Sequence, residues 1–216
     1  MNVSDDQIKA IVDRVVDKLT SLGGTPGVKP AAASSPVQTK ARADAGSVFA
    51  AATGERGCFP DIDSACQAAK RAFLDYRDVP VKQREKIIAA IREICLDHLP
   101  ELAQRALVET GLGRYEDKLK KNRLVIEKTP GVEDLEPDAF SGDDGLTIQE
   151  RAPFGVIGSI TPCTNPSETI ICNGIGMIAG GNAVVFNPHP AARETSVYTM
   201  DLLNQAVISE GGPPNL

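Results

Sequence analysis

Apolar positions recur at helical spacing through the first two thirds of the chain and turn into short unbroken runs only late, so the pattern predicts helices first and strands afterwards. Ser4 to Leu22 sets Ile8, Ile11, Val12, Val15, Leu19 and Leu22 on one side and Asp6, Lys9, Asp13, Arg14, Asp17 and Lys18 around the other. This is an amphipathic helix with capping-box spacing at Ser4 and Gln7 and a stop at Gly23-Gly24. Residues 23–46, GGTPGVKPAAASSPVQTKARADAG, have no periodicity and read as a flexible linker. Helical stripes then resume over Asp61 to Arg77, Pro80 to Leu99, Pro100 to Thr110 (stopped by Gly111) and Arg114 to Lys128. These predict cover helices with a scaffolding role. Leu146 to Arg151, LTIQER, alternates apolar and polar and predicts an extended segment.

The pattern changes at Phe154. An apolar, β-branched run to Ile160 stops at Thr161-Pro162, and helical spacing (Ile170, Ile171, Ile175, Ile178) begins after Asn165-Pro166 and ends at Gly180-Gly181. Pro166 suits a first helical position because its missing N–H would be unpaired there anyway. Ala183 to Phe186 is a second short strand closed by Asn187-Pro188-His189-Pro190, and Ala192 to Ile208 is a further helix. The order is strand, helix, strand, helix. Crossovers of this kind build a parallel sheet, and ligands gather at the carboxyl ends of its strands, here Thr161 to Asn165 and Asn187 to His189. A sheet of so few strands would leave an edge unpaired beyond Pro213-Pro214-Asn215-Leu216, which predicts either more chain or a partner there.

Composition narrows the function classes. The chain has 216 residues, 42% of them hydrophobic, a net charge of −6, no tryptophan and three tyrosines, so it offers no basic-aromatic surface for nucleic acid. The Lys118, Lys120, Lys121 and Arg123 cluster, with Glu116 and Asp117 beside it, is read as a solvated face. The leading helix lacks a basic n-region and a continuous apolar core, so it is neither a secretory signal nor a membrane span. Its polar face carries both signs, against binding to an anionic membrane. A short amphipathic helix on a tether instead suits docking into a groove elsewhere. The five cysteines, at 58, 66, 95, 163 and 172, match neither a metal knuckle nor a disulfide frame, and a reducing cytosol fits them.

Candidate chemistry centres on Asn165, which is either the N-cap of its helix or an amide donor to reaction chemistry. Cys163, before a helix N-terminus, is in a place that stabilises a thiolate, although packing is the plainer reading, and Cys172 is read as structural. Glu168 complements the helix dipole more simply than it serves as a base. Gly174, Gly176 and Gly180 imitate a dinucleotide fingerprint but lie inside and at the end of the helix rather than in the turn, so close helix-to-sheet packing explains them better.

Four stretches together resemble the aldehyde dehydrogenase superfamily, and within it the CoA-acylating enzymes of bacterial microcompartments: ETGLGRYEDKLKKN (109–122), TPGVEDL (129–135), APFGVIGSITPCTNPSETII (152–171) and AGGNAVVFNPHPAA (179–192). The resemblance covers about the first half of such an enzyme and implies an α/β aldehyde dehydrogenase-like fold, with residues 47–216 forming the N-terminal part of the nucleotide-binding domain. It implies NAD as cofactor, CoA as co-substrate and a short-chain aldehyde as substrate. In this family a cysteine from the second half attacks the aldehyde, hydride passes to NAD, and CoA takes the acyl group. That cysteine segment does not occur in these residues, so the chain alone is expected to be inactive.

By the same resemblance Asn165 is the oxyanion-hole amide, and Thr161, Pro162, Asn187, Pro188 and His189 lie along the cofactor. Asn187 stands where the superfamily usually places a ribose-binding lysine, which favours NAD over NADP. Residues 1–22 match the leader that directs cargo enzymes into the shell, which implies shell proteins as partners and the microcompartment lumen, within the cytoplasm, as location. A strand near Leu146 implies a homo-oligomer. The alternative is a non-catalytic cargo or interaction protein that keeps the targeting helix and part of a nucleotide-binding domain.

Overall fold

The computed structural model describes residues 57–216; the helix expected over 4–22 and the linker over 23–46 lie outside the described residues. Four helices come first: α1 (Ile62–Tyr76), α2 (Val81–Asp97), α3 (Leu99–Thr110) and α4 (Tyr115–Lys128). A hairpin follows, β1 (Asp138–Gly142) and β2 (Gly145–Gln149), and then β3 (Val156–Thr161), α5 (Pro166–Ala179), β4 (Ala183–Pro188) and α6 (Arg193–Ser209).

Local chemistry sets the helix ends. Asp61 caps α1 by accepting the Ser64 N–H at 2.8 Å. Gly111, at φ 67°, ends α3 in the left-handed conformation that an L side chain resists. The C-terminus of α4 is closed from outside, since the Arg92 guanidinium of α2 donates to the carbonyls of Ile126 and Thr129, the latter at 2.6 Å. The N-terminus of α6 is capped at long range by Glu109, which accepts the N–H groups of Glu194 and Thr195 at 2.8 and 2.7 Å. A carboxylate there also suits the positive end of the helix dipole.

The core lies between α2, α3, α5 and α6. Ile87, Ile91 and Cys95 of α2, Leu102 of α3, Ile170, Ile171 and Ile175 of α5 and Val207 of α6 are buried. Each large aliphatic side chain so buried contributes roughly 1.5–3 kcal/mol relative to exposure. Burial also pushes the Cys95 thiol up to about 12, which makes it inert. At Gly174 a Cβ would stand 2.6 Å from Leu203 Cδ2. The expected close packing of that glycine is therefore real, but its partner is helix α6 rather than the sheet.

β3 and β4 pair in parallel, with Val156 opposite Ala183 through to Thr161 opposite Pro188. Asn182 fixes the start of this pair: its Oδ1 accepts the N–H groups of Phe154 and Gly155 at 2.6 and 3.0 Å, while Nδ2 donates to the Met177 carbonyl at 3.2 Å. Ser159 meets α5 through a 3.0 Å hydrogen bond from Asn173 Nδ2, and Thr161 shares that face by the two-residue period. On the outer side of β4 the Val184 N–H donates to the Leu216 carbonyl at 2.8 Å.

The hairpin differs from the sequence expectation. The extended segment expected at Leu146 to Arg151 is β2, ending at Gln149, and its antiparallel partner β1, Asp138 opposite Gln149 through Gly142 opposite Gly145, was not expected. All residues of both strands are exposed. Without a buried face, β1 carries no alternation for a sequence reading to detect.

Candidate functional site

β3 ends at Thr161, the chain turns through Pro162 to Thr164, and Asn165 occupies the N-cap position of α5 at φ −135°, ψ 61°. Its carbonyl accepts the Thr169 N–H at 3.0 Å, but its side chain makes no cap hydrogen bond. Instead Oδ1 accepts from the Lys121 ammonium of α4. Lysine can only donate, which sets the amide with its oxygen toward Lys121 and its NH2 group away from it. Among the described residues that NH2 group has no hydrogen-bond partner.

Beneath Asn165 lies a polar junction between α4 and α5. The Lys121 ammonium is also 3.5 Å from Glu168 Oε1, an ion pair without a hydrogen bond, and Glu168 is only 4% exposed. The Ser167 hydroxyl lies 2.8 Å from Asn122 Oδ1 and 3.2 Å from Glu168 Oε2. It has one proton to give, and the nearer Asn122 oxygen is the better acceptor. Asn122, fully buried, donates in turn to the Lys118 carbonyl at 2.9 Å.

Lys118 is 3% exposed, and burial holds its ammonium below the ordinary lysine range against the opposing pull of Glu168. The solvated-face reading of the basic cluster therefore fails at Lys118 and holds for the exposed Lys120 and Arg123. It is incomplete at Lys121, whose side chain is half in solvent but committed to Asn165 and Glu168. Glu168 sits in the first turn of α5, as the dipole reading requires, but it is buried between charges rather than facing water.

Sequence reasoning missed Lys121, Asn122 and Ser167. For Asn122 the available signal was its spacing with Lys118 and Ile126, which places all three on one face of α4, and all three are buried.

The five residues expected along a cofactor come together at one edge. The His189 N–H donates to the Thr161 carbonyl at 3.0 Å, which joins the carboxyl ends of β3 and β4. Pro162, Asn187 and His189 are exposed there, Pro188 is half-buried, and the buried Thr161 hydroxyl has no hydrogen-bond partner. His189 Nδ1 accepts the Ala191 N–H at 3.1 Å, so the neutral ring carries its proton on Nε2. Cys163 is half-buried in the turn before Asn165. Cys172, read as structural, lies on α5 and is exposed among the described residues.

Among the described residues no helix is long and apolar enough to cross a membrane.

Comparison with known proteins places these features in a family. The model of the aldehyde dehydrogenase family matches residues 29–215. The acetaldehyde dehydrogenase (acetylating) EutE of Salmonella typhimurium is 51% identical over 162 residues, which cover 75% of this chain and 34% of that protein. The structure of a propionaldehyde dehydrogenase from the Clostridium phytofermentans fucose utilisation bacterial microcompartment superposes with a TM-score of 0.72 at 57% identity, covering 74% of this chain and 37% of that one. Propionaldehyde dehydrogenase of Rhodopseudomonas palustris, solved with bound CoA and an acylated cysteine, gives a TM-score of 0.72 at 51% identity over 74% of this chain and 37% of its own. The chain thus spans about a third of the length of these proteins, less than the half expected from the motifs. With the family model matching residues 29–215 and the superposition covering 74% of the chain, the chain belongs to the aldehyde dehydrogenase family.

Proposed function

We propose that this chain supplies the N-terminal segment of an NAD-dependent, CoA-acylating aldehyde dehydrogenase that converts a short-chain aldehyde, CoA and NAD to acyl-CoA and NADH. The observation that carries the reading is Asn165. Its amide oxygen is occupied by Lys121, and its NH2 group stays uncommitted beside a strand end. Such a donor suits the oxyanion that forms when a thiolate adds to an aldehyde carbonyl, and a donor of this kind is typically worth about 3 kcal/mol. The nucleophilic cysteine lies outside this chain; the acylated cysteine of the R. palustris relative supports a covalent route through such a residue.

The strand-end ledge fits a dinucleotide. Asn187 and the Nε2–H of His189 are exposed donors for ribose or phosphate oxygens, and the unmatched Thr161 hydroxyl is a further polar group at the same edge. NAD supplies the hydride acceptor. Thr161, Pro162, Asn187, Pro188 and His189 bind and orient it, and the lack of a lysine at the end of β4 favours NAD over NADP.

Residues 1–22 target the enzyme to the shell proteins of a bacterial microcompartment, residues 23–46 act as the tether, and residues 47–216 form part of the nucleotide-binding domain. The microcompartment origin of the C. phytofermentans relative supports the lumen as the working location. The exposed hairpin, with Phe140, Leu146 and Ile148 on its surface, supports a homo-oligomer.

The test is a steady-state assay of NADH formation with acetaldehyde or propionaldehyde and CoA, on a full-length enzyme carrying this sequence. Asn165→Ala is expected to lower kcat by about 10²–10³-fold with little change in the KM for NAD. An unchanged kcat would remove Asn165 from the chemistry. Deleting residues 1–22 is expected to keep activity and abolish co-purification with shell proteins, and retained co-purification would sink the targeting proposal.

A further inference from the structure

The Asn165 amide faces a competing demand from its own helix. At the N-cap position an asparagine ordinarily turns its side-chain oxygen onto the second or third helical N–H, here that of Ser167 or Glu168. That bond would spend the oxygen on α5 and rotate the NH2 group with it. In this structure the capping bond is absent, and the same oxygen accepts from Lys121, which reaches across from α4. Lys121 is itself held from below by Glu168, 3.5 Å away. Glu168 is buried, with the Ser167 hydroxyl 3.2 Å from its other oxygen, so the anchor of the chain of contacts is enclosed rather than solvated.

From this geometry we infer that Lys121 is a positioning residue: together with Glu168 it withholds the Asn165 oxygen from helix capping and so presents the Asn165 NH2 group as a donor. The inference rests on the reading of Asn165 as the oxyanion donor. Three consequences distinguish it from a merely structural ion pair. First, Lys121 acts only through Asn165. Second, removing its ammonium lets Asn165 fall back into the cap, which strengthens the start of α5 while the donor is lost. Third, the charge donated to the amide oxygen polarises the amide and makes its N–H groups better donors.

The experiment has two readouts. In a full-length enzyme carrying this sequence, Lys121→Met is expected to lower kcat about 10-fold or more, with the KM for NAD held. Placed on Asn165→Ala, the same substitution is expected to cost no more than about 2-fold further, because the two residues act as one unit. Lys121→Arg, which keeps a donor, recovers part of the rate, and Glu168→Gln loses part of it.

In the 216-residue chain the Asn165 side-chain amide signals are identified by their loss in Asn165→Ala. With Lys121→Met they are expected to shift, and the backbone N–H of Ser167 or Glu168 is expected to gain protection from hydrogen exchange. Losses that add in the double variant, or amide signals and exchange that do not respond to Lys121→Met, would overturn the inference. A full-length enzyme without acylating activity would remove the proposed reaction, and the amide and exchange readouts would still decide whether Lys121 holds Asn165 off its cap.

Discussion

The α4–α5 junction and the β1–β2 hairpin invert the usual placement of residue types in opposite ways. At the junction, Lys118, Asn122, Ser167 and Glu168 are polar and buried. On the hairpin, Phe140, Leu146 and Ile148 are apolar and 58%, 66% and 60% exposed. The first inversion is largely met inside the chain: Asn122 and Ser167 meet each other and the Lys118 carbonyl, and Glu168 pairs with Lys121, although its Oε1 makes no hydrogen bond. The second is not compensated among the described residues: every residue of the hairpin strands is exposed, and the two strands pair with each other. A two-stranded hairpin alone is marginal in water, and exposed apolar side chains are what a docking surface presents. Burial of polar groups here fixes geometry, which the proposed role of Asn165 requires, whereas exposure of apolar groups leaves a surface that the proposed oligomer would cover.

If that contrast is right, the junction should be costly to disturb. Asn122→Ala removes the side-chain donor to the Lys118 carbonyl and the nearer acceptor of the Ser167 hydroxyl, and leaves a void in a site with no exposure. The expected loss of stability is about 2 kcal/mol, read as a lower urea midpoint with an unchanged slope in the 216-residue chain. A loss under roughly 0.5 kcal/mol would mean that the junction relaxes freely, and it would then be no better fixed than the hairpin.

Lys118 sharpens the comparison through pH. Burial lowers its ammonium from the ordinary value of 10.5, and this outweighs the attraction of Glu168, so the charge costs stability where both folded and unfolded chains are protonated. As pH rises through the lowered folded value toward 10.5, the unfolded chain holds a proton that the folded chain has released, and stability from this group rises. Lys118→Met removes that contribution. The variant is expected to be more stable than the parent near neutral pH, and the difference should shrink as pH approaches 10.5. Chemical unfolding at several pH values measures it. A gap that widens with pH would show that Glu168 dominates and that Lys118 is a net stabiliser.

The two regions also differ in how far the sequence announced them. The strand–helix–strand–helix unit was legible because the apolar runs at Phe154 to Ile160 and Ala183 to Phe186 are bounded by proline and glycine. The strand-end residues from Thr161 to His189 followed from that topology. The hairpin partner β1, DAFSG, was invisible because pairing without burial leaves no periodic trace. The junction was misread for another reason: charge type suggested solvent at Lys118, whereas its place on the same face of α4 as Ile126 decides its burial. Lys121 was out of reach altogether, since its partners lie 44 and 47 positions away in the chain and only packing of α4 against α5 brings them together.

Ile148→Ser tests the other side of the contrast and should have the smallest effect. The side chain is 60% exposed in β2, and its cross-strand neighbour in register is Ala139, so little apolar contact is lost on truncation. Serine is a poorer strand former than isoleucine, which adds a few tenths of a kcal/mol at most on an exposed ladder. The urea-derived stability of the isolated 216-residue chain is therefore expected to stay within about 0.5 kcal/mol of the parent. In a full-length enzyme the same change is expected to weaken self-association, since the residue would then line a buried surface, and dilution experiments by light scattering would read it. A loss above roughly 1 kcal/mol in the isolated chain at low concentration would place Ile148 against something within the chain itself. The hairpin would then be a compensated element like the junction, and its surface would no longer be evidence for a partner.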